Sequence, residues 1–381
     1  MAVSKNSALY SVFTISIFVC SEVLFQSYYY LTSGRFLYER NLLRIYQDDP
    51  ILCFALKPSL NLSRSTNEFS IEIYTNTQGF RTDSAQKAVA YSKADGRYRV
   101  VFLSPSMTFG GGTNYEQTFP ALIGEKLKAR GINAKIVNVE TPAQPPSQQL
   151  CWLKEEGYRY HPDLIVQTVY QSPDVISGEC VQPLVCPRIV DGEFRIQLPP
   201  ARAKILALAK NSGLVFYGWY PYQSIVQTKK DARSGQGLEL YSEIGSALPT
   251  SIDVDGIVQK FVHFETNVAR YLGAKTPIIF IYTPLSYVVH GEDRSRWQHI
   301  EPSTPERLYR VTAEVEERLT ARGTTFINPV QTLVKRALEE RMHSWLDIHL
   351  TEAGSEVIAD ELIGPISEKL APVETHRGLA D

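Results

Sequence analysis

Five short apolar runs, spaced between residues 99 and 327 and separated by helix-like stretches, limit what this sequence can fold into. They are Arg99–Leu103, Lys135–Val139, Leu164–Tyr170, Pro277–Tyr282 and Thr324–Ile327. Runs this short and this continuously apolar suit strands buried on both faces, as in a parallel sheet. Phe119–Arg130 carries Leu122, Ile123 and Leu127 at helical spacing. Glu306–Ala321 carries Leu308, Val311, Val315 and Leu319 on one stripe, and Glu352–Leu370 is a further amphipathic stretch. Strand and helix in alternation predict an α/β fold: a doubly wound, flavodoxin-like parallel sheet of five strands. In such a sheet a ligand binds at the carboxyl ends of the strands, so the residues just after each run are the first to search for chemistry.

The rest of the chain reads as additions to that sheet. Residues 1–30 form an N-terminal membrane anchor, 31–95 an accessory or linker segment, 96–372 the main domain and 373–381 a flexible tail. The stretch 177–274 interrupts the strand–helix rhythm and reads as an insertion. Ala8–Phe25 is dominated by apolar and small side chains, with Glu22 as its only charge, and Tyr28, Tyr29 and Tyr30 follow in the manner of an interface belt. The run is about the minimum length for a spanning helix. Its basic flank holds only Lys5, and no Ala-x-Ala-like site follows, so an uncleaved anchor in membrane lipid is expected over a signal peptide. Orientation is weakly encoded: Arg35, Arg40 and Arg44 follow the span and oppose a simple positive-inside reading. Leu60–Tyr74 alternates polar and apolar residues, as a small antiparallel addition would, and Thr75–Arg81 contains the Asn and Gly of a turn.

Charge excludes one class of partner. The formal net charge is −2 and the basic residues are scattered, so no nucleic-acid footprint is present. The five cysteines, Cys20, Cys53, Cys151, Cys180 and Cys186, make no Cys-x-x-Cys pair. Cys180 and Cys186 bracket a short loop and are either bridged or two free thiols. No metal and no organic cofactor is expected. Gly110-Gly111-Gly112 lacks the Lys-Ser/Thr that a phosphate loop needs.

Two segments at opposite ends of the main domain carry the chemistry. Leu103-Ser104-Pro105-Ser106-Met107-Thr108-Phe109-Gly110 follows the first strand, and Asp347-Ile348-His349-Leu350-Thr351 precedes the last helix. A serine hydroxyl is a weak nucleophile until a base takes its proton, and the base works best when a carboxylate orients it. Ser106, His349 and Asp347 have the residue types for those three roles. Gly110 and Gly111 allow the backbone to approach a substrate and to offer N–H groups to an oxyanion. His290 and His299 stand in a polar loop, where solvated side chains are expected. Trp219 and its neighbouring tyrosines suit either core packing or stacking on a sugar.

With those residues in view, the chain resembles the SGNH/GDSL hydrolase superfamily, in particular its membrane-anchored bacterial members. The family's first block, Gly-Asp-Ser-x-Thr-x-Gly, is matched by Ser104-Pro105-Ser106-Met107-Thr108-Phe109-Gly110. Its last block is matched by Asp347–Thr351 with Gly354. Asn114–Pro120, Lys57-Pro58 and the Asn76–Arg81 turn are also typical of the anchored group. The resemblance spans most of residues 45 to 370. Against the pattern, Ser104 and Pro105 replace Gly and Asp, Glu140 stands where an oxyanion-binding glycine is expected, and Ser172 takes the place of an asparagine in the same hole.

The resemblance implies a membrane-anchored esterase or O-acyltransferase in the inner membrane, single-pass, with its main domain in the periplasm. Its substrates would be acyl esters of a glycan or envelope polymer. The altered oxyanion positions leave a second reading open: a noncatalytic SGNH-fold protein that binds a glycan or joins a membrane protein complex.

Overall fold

A computed structural model of the chain describes residues 5–33, 45–65, 68–84, 88–140, 145–181, 188–190, 193–195, 212–214, 252–273, 276–296, 301–345 and 348–371. It divides into two compact units, Met1–Asp48 with Cys186–Glu239, and Asp49–Val185 with Leu240–Asp381.

In the first unit, helix α1 (Lys5–Ser33) is the dominant element. Its stretch Tyr10–Leu31 is long and apolar enough to cross a membrane, and most of its large side chains, among them Phe13 and Leu24, are exposed.

The second unit begins with a small antiparallel sheet of strands β1 (Asn61–Ser65), β2 (Ser70–Thr75) and β3 (Arg81–Thr82). Ile71 and Ile73 alternate inward along β2, which is the period-2 pattern of a half-buried strand. The turn before β3 is held by Asn76, whose Oδ1 accepts from the N–H groups of Gln78 (2.9 Å) and Phe80 (3.0 Å). Gly79 in that turn has φ +83°, and a Cβ there would lie 2.5 Å from the Leu56 carbonyl oxygen, so only glycine fits.

The main sheet has five parallel strands: β4 (Tyr98–Ser104), β5 (Ala134–Glu140), β6 (Leu164–Tyr170), β7 (Ile278–Thr283) and β8 (Thr325–Ile327). Their order is β8-β7-β6-β4-β5, the doubly wound arrangement expected from the sequence. The chain reverses direction across the sheet between β4 and β6, which places the topological switch point at the end of β4. Alternate residues of each strand feed two cores. Val101 and Leu103 join Val139, Phe261 and Phe280 on one face, whereas Val100 and Phe102 join Val166, Ile279 and Ile281 on the other. Helices α3 (Pro146–Glu155), α4 (Val254–Leu272) and α5 (Thr304–Thr320) cover the first face through Leu153, Phe264 and Leu319. Helices α2 (Phe119–Ala129), α6 (Val330–Arg336) and α7 (Glu352–Leu370) cover the second through Ile123, Leu333 and Leu362.

The cysteine pairing differs from the one weighed on sequence. Cys180 is bridged to Cys151 of α3, not to Cys186, which lies outside the described residues. The chain after β6 runs across α4, where the Asn267 side chain donates to the Gly178 carbonyl (2.6 Å), and this path delivers Cys180 onto α3. Cys53 is disulfide-bonded as well, and Cys20 on α1 is an exposed free thiol. Trp219 and the tyrosines beside it also lie outside the described residues.

Candidate active site

The loop after β4 is built as two consecutive turns. The Phe109 N–H donates to the Ser106 carbonyl (3.1 Å), and the Thr113 N–H donates to the Gly110 carbonyl (3.1 Å). Gly110 joins them with φ +68°, a conformation in which a side chain would be strained. Ser106 is half-buried while Met107, Thr108 and Phe109 are buried, so the loop is pinned by its neighbours rather than hanging in solvent. From β5, Asn138 Nδ2 donates to the Thr108 carbonyl (2.9 Å).

Two arginines from the small sheet hold the second turn. Arg81, 1% exposed, donates through Nη1 to the Gly110 carbonyl (2.8 Å) and through Nη2 to the Thr113 carbonyl (2.7 Å). Its guanidinium also lies over the Phe109 ring, 4.4 Å from the centroid. Arg64 donates to the Gly111 carbonyl (2.6 Å). In a trans peptide the N–H points opposite to the C=O. With the carbonyls of Gly110 and Gly111 turned to the arginines, the N–H groups of Gly111 and Gly112 face the other way. The sequence gives no sign of this brace beyond the Asn76–Arg81 turn, because Arg64 and Arg81 are remote from the loop in the chain.

His349 comes from the loop ahead of α7. That loop is closed by Ser344 N–H to the His349 carbonyl (3.0 Å) and by Thr351 N–H to the Met342 carbonyl (3.0 Å). Thr351 caps α7, its hydroxyl accepting from the Gly354 N–H (3.2 Å) and donating to the Arg341 carbonyl (2.6 Å). His349 is thereby buried, and its ring rests on Gly111, where a Cβ would lie 2.6 Å from Nδ1. Gln117 Nε2 donates to Glu352 Oε2 (2.7 Å), a second link between the same two segments. Asp347 lies outside the described residues.

The loop of Ser106 thus follows the central strand at the switch point, His349 precedes the last helix, and the two segments touch through Gly111. The sheet order β8-β7-β6-β4-β5 with helices on both faces makes this a doubly wound α/β fold. Among solved structures, the chain is similar to a putative acylhydrolase from Bacteroides fragilis (14% identity, 74% of this chain and 90% of that one, TM-score 0.37). It is also similar to a lipase/acylhydrolase from Enterococcus faecalis (14%, 72% and 98%, TM-score 0.39) and an acetylxylan esterase from Geobacillus stearothermophilus (12%, 72% and 94%, TM-score 0.37). No family model and no curated protein matches the sequence.

Two positions depart from the SGNH pattern. Glu140 ends β5, in register with Ser104 of the central strand. It is buried, and neither carboxyl oxygen has a hydrogen-bond partner. Burial pushes its pKa up to about 8 against the opposing pull of the Arg81 charge. The carboxyl is therefore mostly neutral at pH 7, which removes most of the repulsion that an anion would exert on a developing oxyanion. Ser172, two residues past β6, is buried and starts the short turn Pro173–Val175. Its N–H is committed to the Tyr170 carbonyl (2.8 Å), while its hydroxyl is buried with no hydrogen-bond partner. Ser172 can thus offer an oxyanion only its side chain.

His290, expected in solvent, is buried instead. Its Nε2 accepts from the Met342 N–H (3.2 Å), and its ring meets His343 edge to face. His343 is fully buried, its Nε2 lies 3.0 Å from the Pro284 carbonyl, and desolvation pushes its pKa down to about 3. This pair packs the inside of the loop that carries His349. His299 lies outside the described residues. A cleft of about 560 Å³ opens beside β5 between Arg81, Asp83, Glu116, Lys128 and Lys135, and neither Ser106 nor His349 lines it.

Proposed function

We propose that the protein is a membrane-anchored serine esterase or O-acyltransferase of the SGNH type. The observation that carries this reading is the contact of Gly111, in the loop of Ser106, with the imidazole of His349. It couples the one loop suited to a nucleophile with the one histidine preceded by an aspartate two residues earlier. Ser106 Oγ attacks the acyl carbon as its proton passes to His349, with Asp347 orienting the ring. The tetrahedral oxyanion is held by the N–H groups of Gly111 and Gly112, with the Ser172 hydroxyl as a further donor. His349 then returns the proton to the leaving alcohol oxygen as the ester C–O bond breaks. Water, or the hydroxyl of an acceptor, removes the acyl group from Ser106 by the same steps in reverse.

The substrate class proposed is an acyl ester of a glycan or envelope polymer, met outside the cytoplasm at the inner membrane. The Cys151–Cys180 bridge and the oxidised Cys53 support an oxidising compartment. The test is hydrolysis of p-nitrophenyl acetate and labelling by a fluorophosphonate, with the full chain in detergent. Ser106→Ala and His349→Ala should each lower kcat/KM by at least about a thousandfold. Ser106→Ala should abolish the label. Undiminished hydrolysis by the purified Ser106→Ala protein would overturn the mechanism.

Glu140 favours a second reading. A glutamate in place of an oxyanion-binding glycine fits a noncatalytic protein that binds a glycan or a partner in the membrane. Absence of fluorophosphonate labelling in the wild-type chain, together with a stable co-purifying membrane protein, would select it.

A further inference from the structure

Glu22 is the one charge of the anchor's apolar stretch, and within its own unit it is fully engaged. Counting 1.5 Å per residue, it lies roughly 13 Å inside the Leu31 end of the Tyr10–Leu31 span, deep in a hydrocarbon layer about 30 Å thick. Its carboxylate accepts from the Gly213 N–H (2.6 Å), the Leu214 N–H (3.1 Å), the Ser212 hydroxyl (2.8 Å) and, one helical turn away, the Gln26 amide (2.8 Å). Gly213 sits so close that a Cβ on it would be 2.6 Å from the Phe25 Cβ. Glu22, Phe25, Gln26 and Tyr29 are half-buried while Val23, Leu24, Ser27, Tyr28 and Tyr30 are exposed. The spacing i, i+3, i+4, i+7 marks one face of the helix.

These contacts have the features of a contact made in lipid. Gly213 and Leu214 are helical and follow the irregular Ser212; the first N–H groups of a helix have no partner within it, and in hydrocarbon they must be satisfied by other protein groups. A buried intramembrane carboxylate likewise needs donors. A small residue permits the close backbone approach on which helix contacts in membranes depend. The segment Ser212–Leu214 and the Glu22 face meet all three demands together. The sequence from Leu214 onward, Leu214-Val215-Phe216-Tyr217-Gly218-Trp219-Tyr220, carries no charge.

We infer that the insertion returns to the membrane, its segment Ser212–Leu214 docked on the anchor helix at the depth of Glu22. The chain then touches the bilayer through two remote segments rather than through its N-terminal helix alone. The inference rests on α1 crossing a membrane and not on the esterase chemistry.

The test is photo-crosslinking of the full chain in liposomes of phosphatidylethanolamine and phosphatidylglycerol. p-Benzoylphenylalanine is placed at Leu214 or at Phe18, which is exposed on α1. Lipid adducts are read by mass spectrometry. Adducts at both positions are expected. Adducts at Phe18 with none at Leu214 would overturn the docking at membrane depth. None at Phe18 would overturn the anchor reading on which it rests. With the probe at Leu214, Glu22→Ala should cut the adduct yield at least about fivefold relative to Phe18, and Gly213→Ala should do the same by steric exclusion. Unchanged yields in both variants would remove Glu22 and Gly213 as the docking contact.

Discussion

Gly111 lies against the imidazole of His349, with room on its Cα for a hydrogen and nothing larger. The contact joins two segments that the chain separates by almost the whole sheet. It also makes residue 111 a direct probe of the site, because its backbone lies outside the positive-φ region that restricts other glycines.

Gly111→Ala should therefore act through His349 alone. A Cβ 2.6 Å from Nδ1 forces the ring to move, and a shift of about 1 Å at a catalytic group costs on the order of a hundredfold in rate. We expect kcat/KM for p-nitrophenyl acetate to fall by about that factor, with Tm lowered by only a few degrees. Gly364→Ala, at an exposed helical position with open space around it, serves as the control and should leave activity unchanged.

Arg81 is the main support of the turn that carries Gly111. Arg81→Ala removes two charge-assisted bonds to buried carbonyls and should cost about 2–4 kcal/mol in stability, read by urea unfolding. Arg64→Ala removes one bond from a less buried side chain and should cost about 1 kcal/mol. If the turn they hold binds the oxyanion as proposed, both should lower kcat more than they raise KM. A pure KM effect would place the turn in ground-state binding instead.

Glu140 gives a pH signature. Its pKa is raised in the folded chain, from 4.5 to about 8, so its neutral form favours folding. That contribution is whole below pH 4.5, declines as the unfolded chain ionises, and is gone above about pH 8. His343 is shifted the other way, from 6.5 to about 3, so its contribution is present above pH 6.5 and lost on acidification. The two oppose each other between pH 4.5 and 6.5, and from pH 6.5 to 8 only Glu140 of this pair acts. Over that window wild-type stability should fall, whereas Glu140→Gln should be flatter and more stable by roughly 1–3 kcal/mol at pH 8. Parallel slopes for the two proteins would show that Glu140 ionises as freely as in the unfolded chain.

The Cys151–Cys180 bridge closes a separation of 29 residues around β6. By chain entropy, losing it should destabilise the second unit by about 3–4 kcal/mol. Cys180→Ser should lower the unfolding midpoint in non-reducing buffer, and dithiothreitol should bring the wild type toward the mutant. A midpoint unaffected by the substitution would mean that the bridge does not form in solution.

The α/β architecture was legible in the residues themselves. Strands buried on both faces must be continuously apolar, and helices covering them must be apolar on one side, so β4–β8 and α2, α5 and α7 announce themselves in Val100–Leu103, Leu164–Val169 or Leu308–Leu319. Ser106 and His349 were legible as candidates for a related reason: the end of a strand and the start of a helix are marked locally, and in such folds ligands bind at strand ends. What the sequence did not contain was the company these residues keep. That Arg64 and Arg81 grip the carbonyls of Gly110, Gly111 and Thr113, that Cys180 pairs with Cys151, and that His290 is buried against His343 all depend on contacts between segments far apart in the chain. Local pattern fixes each element because its periodicity is written in neighbouring residues. Partners across the fold, and the protonation of a group such as Glu140, are decided only when packing has excluded water and brought those groups together.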